Sequence, residues 1–330
     1  MSKLNFQNVI LLTTFFITII IALIIIPILR KKKVGQIERD DGPKSHLKKQ
    51  GTPTMGGVII MISMIIGITI SYFYYDFKDQ IDIGKKLLPI LCLTMGFGLI
   101  GFIDDYKKLV LKNTKGLKPS YKMFGLLIIS VIYVLFLVKG LNIGTDTLIP
   151  IVKTYLVLPI WVYIPFAIIV ILATTNAVNL TDGIDGLSSS VCSIIIACLT
   201  IIGIYKNVPE MSTFGSVVIG ATLGFLIFNL HPAKVFMGDT GSLLLGGVIS
   251  AMALYLKMPL LLLIIAFIPV IETLSVIIQV VYFKKTGSRI FKMAPIHHHF
   301  ELSGWKESKV VIVFTLTTLL FCVLGIIMIK

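Results

Sequence analysis

The stretch Val9–Leu29, VILLTTFFITIIIALIIIPIL, runs for 21 residues without a charge and is followed at once by Arg30, Lys31, Lys32 and Lys33. At about 1.5 Å per residue, a helix of that length spans the roughly 30 Å of hydrocarbon in a bilayer. A cleaved leader has its basic residues before a shorter apolar run and a small-residue site after it; this stretch has neither. A first membrane helix with its N-terminus outside is therefore expected.

The rest of the chain repeats the pattern. Of its 330 residues 56% are apolar and 14% charged, with a mean hydropathy of +0.96, which no soluble globular class shows. Ten apolar segments can be drawn, at about 9–29, 55–75, 87–103, 123–141, 158–175, 187–205, 214–230, 241–257, 259–282 and 309–329. The expected fold is all-α: one polytopic integral membrane domain over residues 1–330 with about ten transmembrane helices. Pro269 predicts a break or kink in the ninth.

An external N-terminus puts loops 30–54, 104–122, 176–186, 231–240 and 283–308 on one side. With Lys309 that side carries 21 of the 30 Lys and Arg, against nine for the other side and the termini. The positive-inside rule makes it the cytoplasmic side, with both termini outside. Topology and anionic membrane lipid account for the net charge of +14, so no nucleic acid partner is expected. Cys92, Cys192, Cys198 and Cys322 all fall inside apolar runs and read as packing residues.

The polar chemistry gathers on the same side. In Leu99–Lys108, LIGFIDDYKK, an apolar run ends in Asp104 and Asp105. Carboxylates just beyond a helix C-terminus face the negative end of its dipole and repel each other, so a nearby cation is expected: Lys107, Lys108 or a metal ion. In Lys48–Gly57, lysines followed by GTPTMGG suggest backbone N–H groups and cations aimed at a phosphate. Asn176–Gly186, NAVNLTDGIDG, places Asn176 with Asn179, and Asp182 with Asp185, at helical spacing, and reads as a polar binding loop, not a simple cap.

In Asn229–Ser242, NLHPAKVFMGDTGS, Asp239 precedes an apolar helix, where the dipole favours an anion; it reads as a firmly ionised metal ligand, or more plainly as an N-cap shared with Thr240. Phe236 offers a flat face that could stack on a ring or anchor in lipid. In Pro295–Glu301, PIHHHFE, neighbouring histidines diverge on any regular backbone, so contacts to phosphate or sugar oxygens fit better than one metal. Glu272 is a charge inside the ninth apolar run, with Gln279 two turns on; it is either a substrate contact or structural support. Carboxylates, phosphate-attracting groups and a membrane face together point to Mg²⁺-assisted phosphoryl chemistry on a lipid. No P-loop or kinase signature is present.

Taken together, DDGPKSH with GTPTMGG, FIDDYKK, NTKGL, NAVNLTDGIDGL, FMGDTGSL and APIHHHFE resemble, in content and order, the phospho-N-acetylmuramoyl-pentapeptide transferase family (MraY), over nearly the whole chain. The resemblance implies Mg²⁺-dependent transfer of phospho-MurNAc-pentapeptide from UDP-MurNAc-pentapeptide to undecaprenyl phosphate in the bacterial cell (inner) membrane. The products are lipid I and UMP, in peptidoglycan synthesis, and the implied assembly is a homodimer.

Carried onto this sequence, the resemblance makes Asp104, Asp105 and Asp239 the catalytic carboxylates, with Asp239 the metal ligand. Lys49, Lys108, Lys122, Asn176, Asn179, Asp182, Asp185, Asn229, Phe236, Gly238, His297, His298 and His299 become substrate-binding residues. Two other functions are compatible with the same features. One is a hexosamine-1-phosphate transferase to a polyprenyl phosphate, which carries a different histidine motif. The other is a transporter, which the edge placement of the ionisable residues and the lack of an inverted repeat argue against.

Overall fold

A computed structural model describes residues 3–31, 51–109 and 116–329. It is almost entirely helical: α1 (Lys3–Lys31), α2 (Gly57–Phe77), α3 (Ile81–Leu109), α4 (Pro119–Leu135), α5 (Ile160–Thr181), α6 (Leu187–Tyr205), α7 (Pro209–Asn229), α8 (Gly238–Tyr255), α9 (Leu262–Ile265), α10 (Phe267–Thr286), α11 (Ile296–Leu302) and α12 (Glu307–Ile329). A short antiparallel hairpin, β1 (Asp146–Ile149) and β2 (Thr154–Val157), joins α4 to α5.

Among the described residues nine helices are long and apolar enough to cross a membrane, which makes this an integral membrane protein. The remaining apolar segment forms α8, whose polar first turn, Gly238–Ser242, lowers its hydropathy. Every residue of α8 from Thr240 to Tyr255 is buried. It runs through the middle of the bundle, packed by α2, α3, α5 and α6, so protein covers it where lipid covers the outer helices. α1 shows the opposite character: Leu12, Phe16, Ile20 and Leu23 stay exposed on a face suited to hydrocarbon.

The element ends differ from the sequence expectation where charged residues lie. α3 does not stop at 103 but continues to Leu109, so Asp104 and Asp105 sit inside its last two turns. Lys107 and Lys108 in the final turn offset the dipole there, and both carboxylates find partners outside the helix. α4 starts at Pro119, placing Lys122 in its first turn, and α5 runs to Thr181, placing Asn176 and Asn179 on helix, not loop.

The expected break in the ninth segment is present. It falls at Ala266, between α9 and α10, three residues before Pro269. Pro269 then lies in the first turn of α10, where its missing N–H has no intrahelical acceptor to lose.

Candidate active site

The last turns of α3 meet the first turn of α8 so closely that a Cβ on Gly101 would overlap the Asp239 backbone. That approach lets a side chain of one helix cap the other. Asp105 accepts the backbone N–H groups of Asp239 at 3.2 Å and Thr240 at 2.9 Å, and the Thr240 hydroxyl at 2.6 Å. Neither Asp239 nor Thr240 caps α8, contrary to the plainer expectation; the cap comes from α3. Gly238 supplies the turn before it with a φ of 74°, in the left-handed region, leaving its missing Cβ position to the Asp105 carboxylate.

Asp104, one residue earlier on α3, is equally buried but faces the neighbouring loop. Its Oδ1 accepts the Leu117 N–H at 2.6 Å, and its Oδ2 lies 2.6 Å from Lys108 Nζ, one turn further along. The same ammonium reaches Asp239 Oδ2 at 2.9 Å, and Lys122 from α4 reaches that oxygen at 3.0 Å. Lys122 also lies 3.8 Å from Asp104 Oδ2. On the other side, the Asn179 amide donates to Asp239 Oδ1 and to the Ser242 hydroxyl, both at 2.8 Å. Four helices, α3, α4, α5 and α8, therefore contribute to one cluster centred on Asp239.

Two carboxyls in this cluster are driven in opposite directions. Burial works to raise the Asp239 carboxyl. The adjoining Asp104 carboxyl and the ammonium groups of Lys122 and Lys108 outweigh it and hold the group well below the usual carboxylate range. Asp182 caps the C-terminus of α5 and accepts the Gly238 backbone N–H. Burial, with the charges of Asp239, Asp105 and Asp185 adding to it, pushes its carboxyl up to about 8. Near neutral pH the site thus holds a permanent anion, Asp239, beside a carboxyl poised to titrate, Asp182. The gathered ligand atoms are carboxylate oxygens without sulfur, a set suited to a hard divalent cation.

The other residues expected from the sequence serve different places. Asp185 turns away from Asp239: its Oδ2 accepts the Ala233 N–H at 3.1 Å and lies 3.0 Å from His231 Nδ1. Glu307 Oε1 accepts the Asp185 N–H at 2.6 Å, and its Oε2 lies 3.3 Å from the same imidazole. The three groups fasten α12 and the 231–237 loop to the α5–α6 turn.

Asn229 has its oxygen on Ser189 at 2.6 Å and its amide on the Val235 carbonyl at 3.0 Å, so it shapes that loop from within. Asn176 donates to Leu172 O in its own helix at 2.7 Å. Phe236 is half-buried, and its backbone pairs with the GTPTMGG segment. Pro53 O accepts the Phe236 N–H at 2.8 Å, while the Gly56 and Gly57 N–H groups donate to Phe236 O and Met237 O at 2.9 Å. Those glycine N–H groups are thus taken by protein carbonyls and are not aimed at a phosphate. Lys49 lies outside the described residues.

On α11 the three histidines take separate partners, although the rings of His297 and His298 touch, with centroids 4.1 Å apart. His297 Nδ1 lies 3.1 Å from Glu272 Oε1, His298 Nδ1 2.8 Å from Glu301 Oε2, and His299 Nδ1 accepts the Lys292 N–H at 3.1 Å. Gln279 holds the loop before α11, accepting the Ile290 and Phe291 N–H groups at 3.1 and 3.0 Å. His231, Glu307 and Ser242 escaped the sequence reading. Glu307 opens an apolar helix like any first-turn acid, and nothing local ties it to Asp185, 122 residues earlier.

Comparison with known proteins places the chain in a family. Residues 87–257 match the model of glycosyl transferase family 4, and residues 49–61 match phospho-N-acetylmuramoyl-pentapeptide-transferase signature 1. The chain is 47% identical to the phospho-N-acetylmuramoyl-pentapeptide-transferase of Acetivibrio thermocellus, over 96% of this chain and 93% of the relative. It is 48% identical to the one of Halalkalibacterium halodurans, over 97% of each, and 49% identical to one of Clostridium botulinum, over 96% and 94%. The chain belongs to the phospho-N-acetylmuramoyl-pentapeptide-transferase family.

Proposed function

We propose that this chain transfers phospho-MurNAc-pentapeptide from UDP-MurNAc-pentapeptide to undecaprenyl phosphate, with Mg²⁺, giving lipid I and UMP for peptidoglycan synthesis. The reaction takes place at the cytoplasmic face of the cell membrane, both termini lie outside, and two copies pair as a homodimer. The observation that carries the reading is the convergence of Lys108, Lys122 and Asn179 on Asp239 at the buried N-terminus of α8, in a chain of this family.

In one displacement, an oxygen of the lipid phosphate bonds to the β-phosphorus of the UDP-sugar. The bond from that phosphorus to the bridging oxygen breaks, and its electron pair leaves on UMP. Lys108 and Lys122 exchange their shared carboxylate oxygen for phosphate oxygens and hold the two anionic substrates together. Asp104, with its Oδ2 on Lys108, orients the lipid phosphate and takes its remaining proton. Asp105 spends both oxygens on α8 and sets where Asp239 stands. Asp239, kept ionised, would hold the Mg²⁺ that neutralises charge developing on the leaving group. Phe236 supplies a face for the uracil ring.

The test is Mg²⁺-dependent release of UMP from UDP-MurNAc-pentapeptide with undecaprenyl phosphate, run beside Asp239→Asn. A fall of about 10³-fold is expected, the scale of losing a principal electrostatic group. Full activity in the variant would remove Asp239 as the anchor. Preference for UDP-N-acetylglucosamine would move the chain to the hexosamine-1-phosphate branch.

A further inference from the structure

Glu272 and His297 are both completely buried, and they face each other across the α10–α11 junction with 3.1 Å between Oε1 and Nδ1. Each keeps one polar atom without a partner among the described residues, Glu272 Oε2 and His297 Nε2. Leaving two such atoms unsatisfied in a protein interior is costly, and native structures keep them where they have a task. The placement of Nε2 indicates the task. It lies against Gly183, an exposed residue of the turn between α5 and α6, and a Cβ on Gly183 would overlap it. One residue before Gly183 is Asp182, whose carboxyl belongs to the Asp239 cluster.

The imidazole is therefore separated from the polar end of the bundle by a glycine alone. Its orientation is set from both flanks. Phe300 on the same short helix packs on Trp305 and Phe314, with ring centroids 4.8 and 5.8 Å away, which fixes α11 on its apolar side. Glu272 meets it on the polar side.

We propose that Glu272 is a positioning residue. By accepting the Nδ1–H it fixes His297 in the tautomer that leaves Nε2 as an acceptor against the Gly183 turn, where displacement of the glycine lets an N–H or O–H of the nucleotide-sugar donor complete it. Facing an ionised Glu272, a neutral imidazole has to donate from Nδ1 and carry its lone pair on Nε2. His299 shows the opposite arrangement on the same helix: its Nδ1 accepts the Lys292 N–H, which makes its Nε2 the protonated nitrogen. Two histidines two residues apart thus present opposite hydrogen-bonding faces, and only the one held by Glu272 points at the turn beside Asp182.

The inference rests on the transfer reaction proposed above only for the identity of the donor, and a first measurement is independent of it. In the full-length protein with ¹⁵N-labelled histidine, His297 should show a protonated Nδ1 and an unprotonated Nε2. Glu272→Gln, whose amide can donate to Nδ1, should move the ring toward the other tautomer. A protonated Nε2 in the unaltered protein would overturn the proposal whatever the substrate.

The second measurement is kinetic. Glu272→Gln should raise KM for UDP-MurNAc-pentapeptide about tenfold, the scale of one hydrogen bond, with kcat and the KM for undecaprenyl phosphate changed less than about twofold. His297→Gln, whose amide oxygen can stand in place of Nε2, should retain much of the donor affinity that His297→Ala loses. Because Glu272 acts through His297, Glu272→Gln combined with His297→Ala should be no worse than His297→Ala alone. Additive losses, or a fall in kcat with KM unchanged, would assign Glu272 a different role.

Discussion

The two ends of α8 are built from the same ingredients and differ in how the charges are satisfied. At its C-terminal end a cavity of about 380 Å³ is lined by Lys86, Lys206, Glu210, Tyr255 and Lys257. There the buried Glu210 accepts the Tyr255 hydroxyl at 2.6 Å and Lys86 Nζ at 3.1 Å, while Lys257 pairs with Asp146 at 2.7 Å. Each carboxylate has its own ammonium. At the N-terminal end, Lys108 and Lys122 crowd onto a single oxygen of Asp239, and Asp182 stands among like charges with no ammonium paired to it among the described residues. A pocket with lysines and a carboxylate is complete when its charges match within the protein. It is ready for an anionic substrate when cations share an acceptor that phosphate oxygens can replace.

The sharpest way to break that comparison is to remove the shared cations. Lys108→Ala and Lys122→Ala should each lower kcat/KM by about 10²-fold, the scale of a lost charged donor at a reacting phosphate. Because both ammonium groups bind one carboxylate oxygen, the double variant should lose less than the product of the two single losses. Strict additivity in steady-state kinetics would mean that the lysines act at separate places, and the N-terminal cluster would then resemble the opposite end.

The N-terminal half of this contrast is legible in the sequence, and the part that is not has a physical cause. Alternating apolar runs gave the helices, and the excess of Lys and Arg gave a sidedness, because hydropathy and charge act residue by residue. Asp104, Lys108 and Asp239 could be expected in one site because they lie at helix ends on one side. Their division of labour could not. Asp105 is next to Asp104 in the chain, yet a helix turns neighbours about 100° apart, so one faces Lys108 and the other caps α8. Asp185 and Asn229 look as catalytic in sequence as Asp182 and Asn179, but their partners, His231, Glu307 and Ser189, are between 40 and 122 residues away. Helix ends differ from the sequence expectation at Asp104–Asp105, Lys122 and Asn176–Asn179, since polar residues at the end of an apolar run look like loop until a second helix supplies their partners.

A milder perturbation tests the charge mismatch through pH. Asp182 has a folded-state pKa of about 8, above the ordinary value near 3.9, so between those limits the folded protein holds a proton that the unfolded chain has released. Stability from this group is present below about pH 4 and is lost as pH rises toward 8. In detergent without divalent cations, the unfolding temperature should therefore fall between pH 5 and 8 more steeply in the unaltered protein than in Asp182→Asn. Parallel curves would show that Asp182 is as well compensated as Glu210.

The smallest effect on turnover is expected at the compensated end. Glu210→Gln keeps an acceptor for the Tyr255 hydroxyl and removes the charge that Lys86 faces, at the far end of a helix about 27 Å long. Transfer activity should change less than about twofold. Stability should fall by about 1 kcal/mol, the scale of a weakened, partly exposed ion pair with its hydrogen bond retained, read as a lower unfolding temperature. The direction follows from the fit: at this end each carboxylate has its own ammonium, so deleting one leaves its partner with less and the reaction untouched. If Glu210→Gln instead reduced transfer as strongly as a change at Lys122, the two ends of α8 would be coupled through the helix that joins them, and the pocket at its C-terminus would belong to the working site.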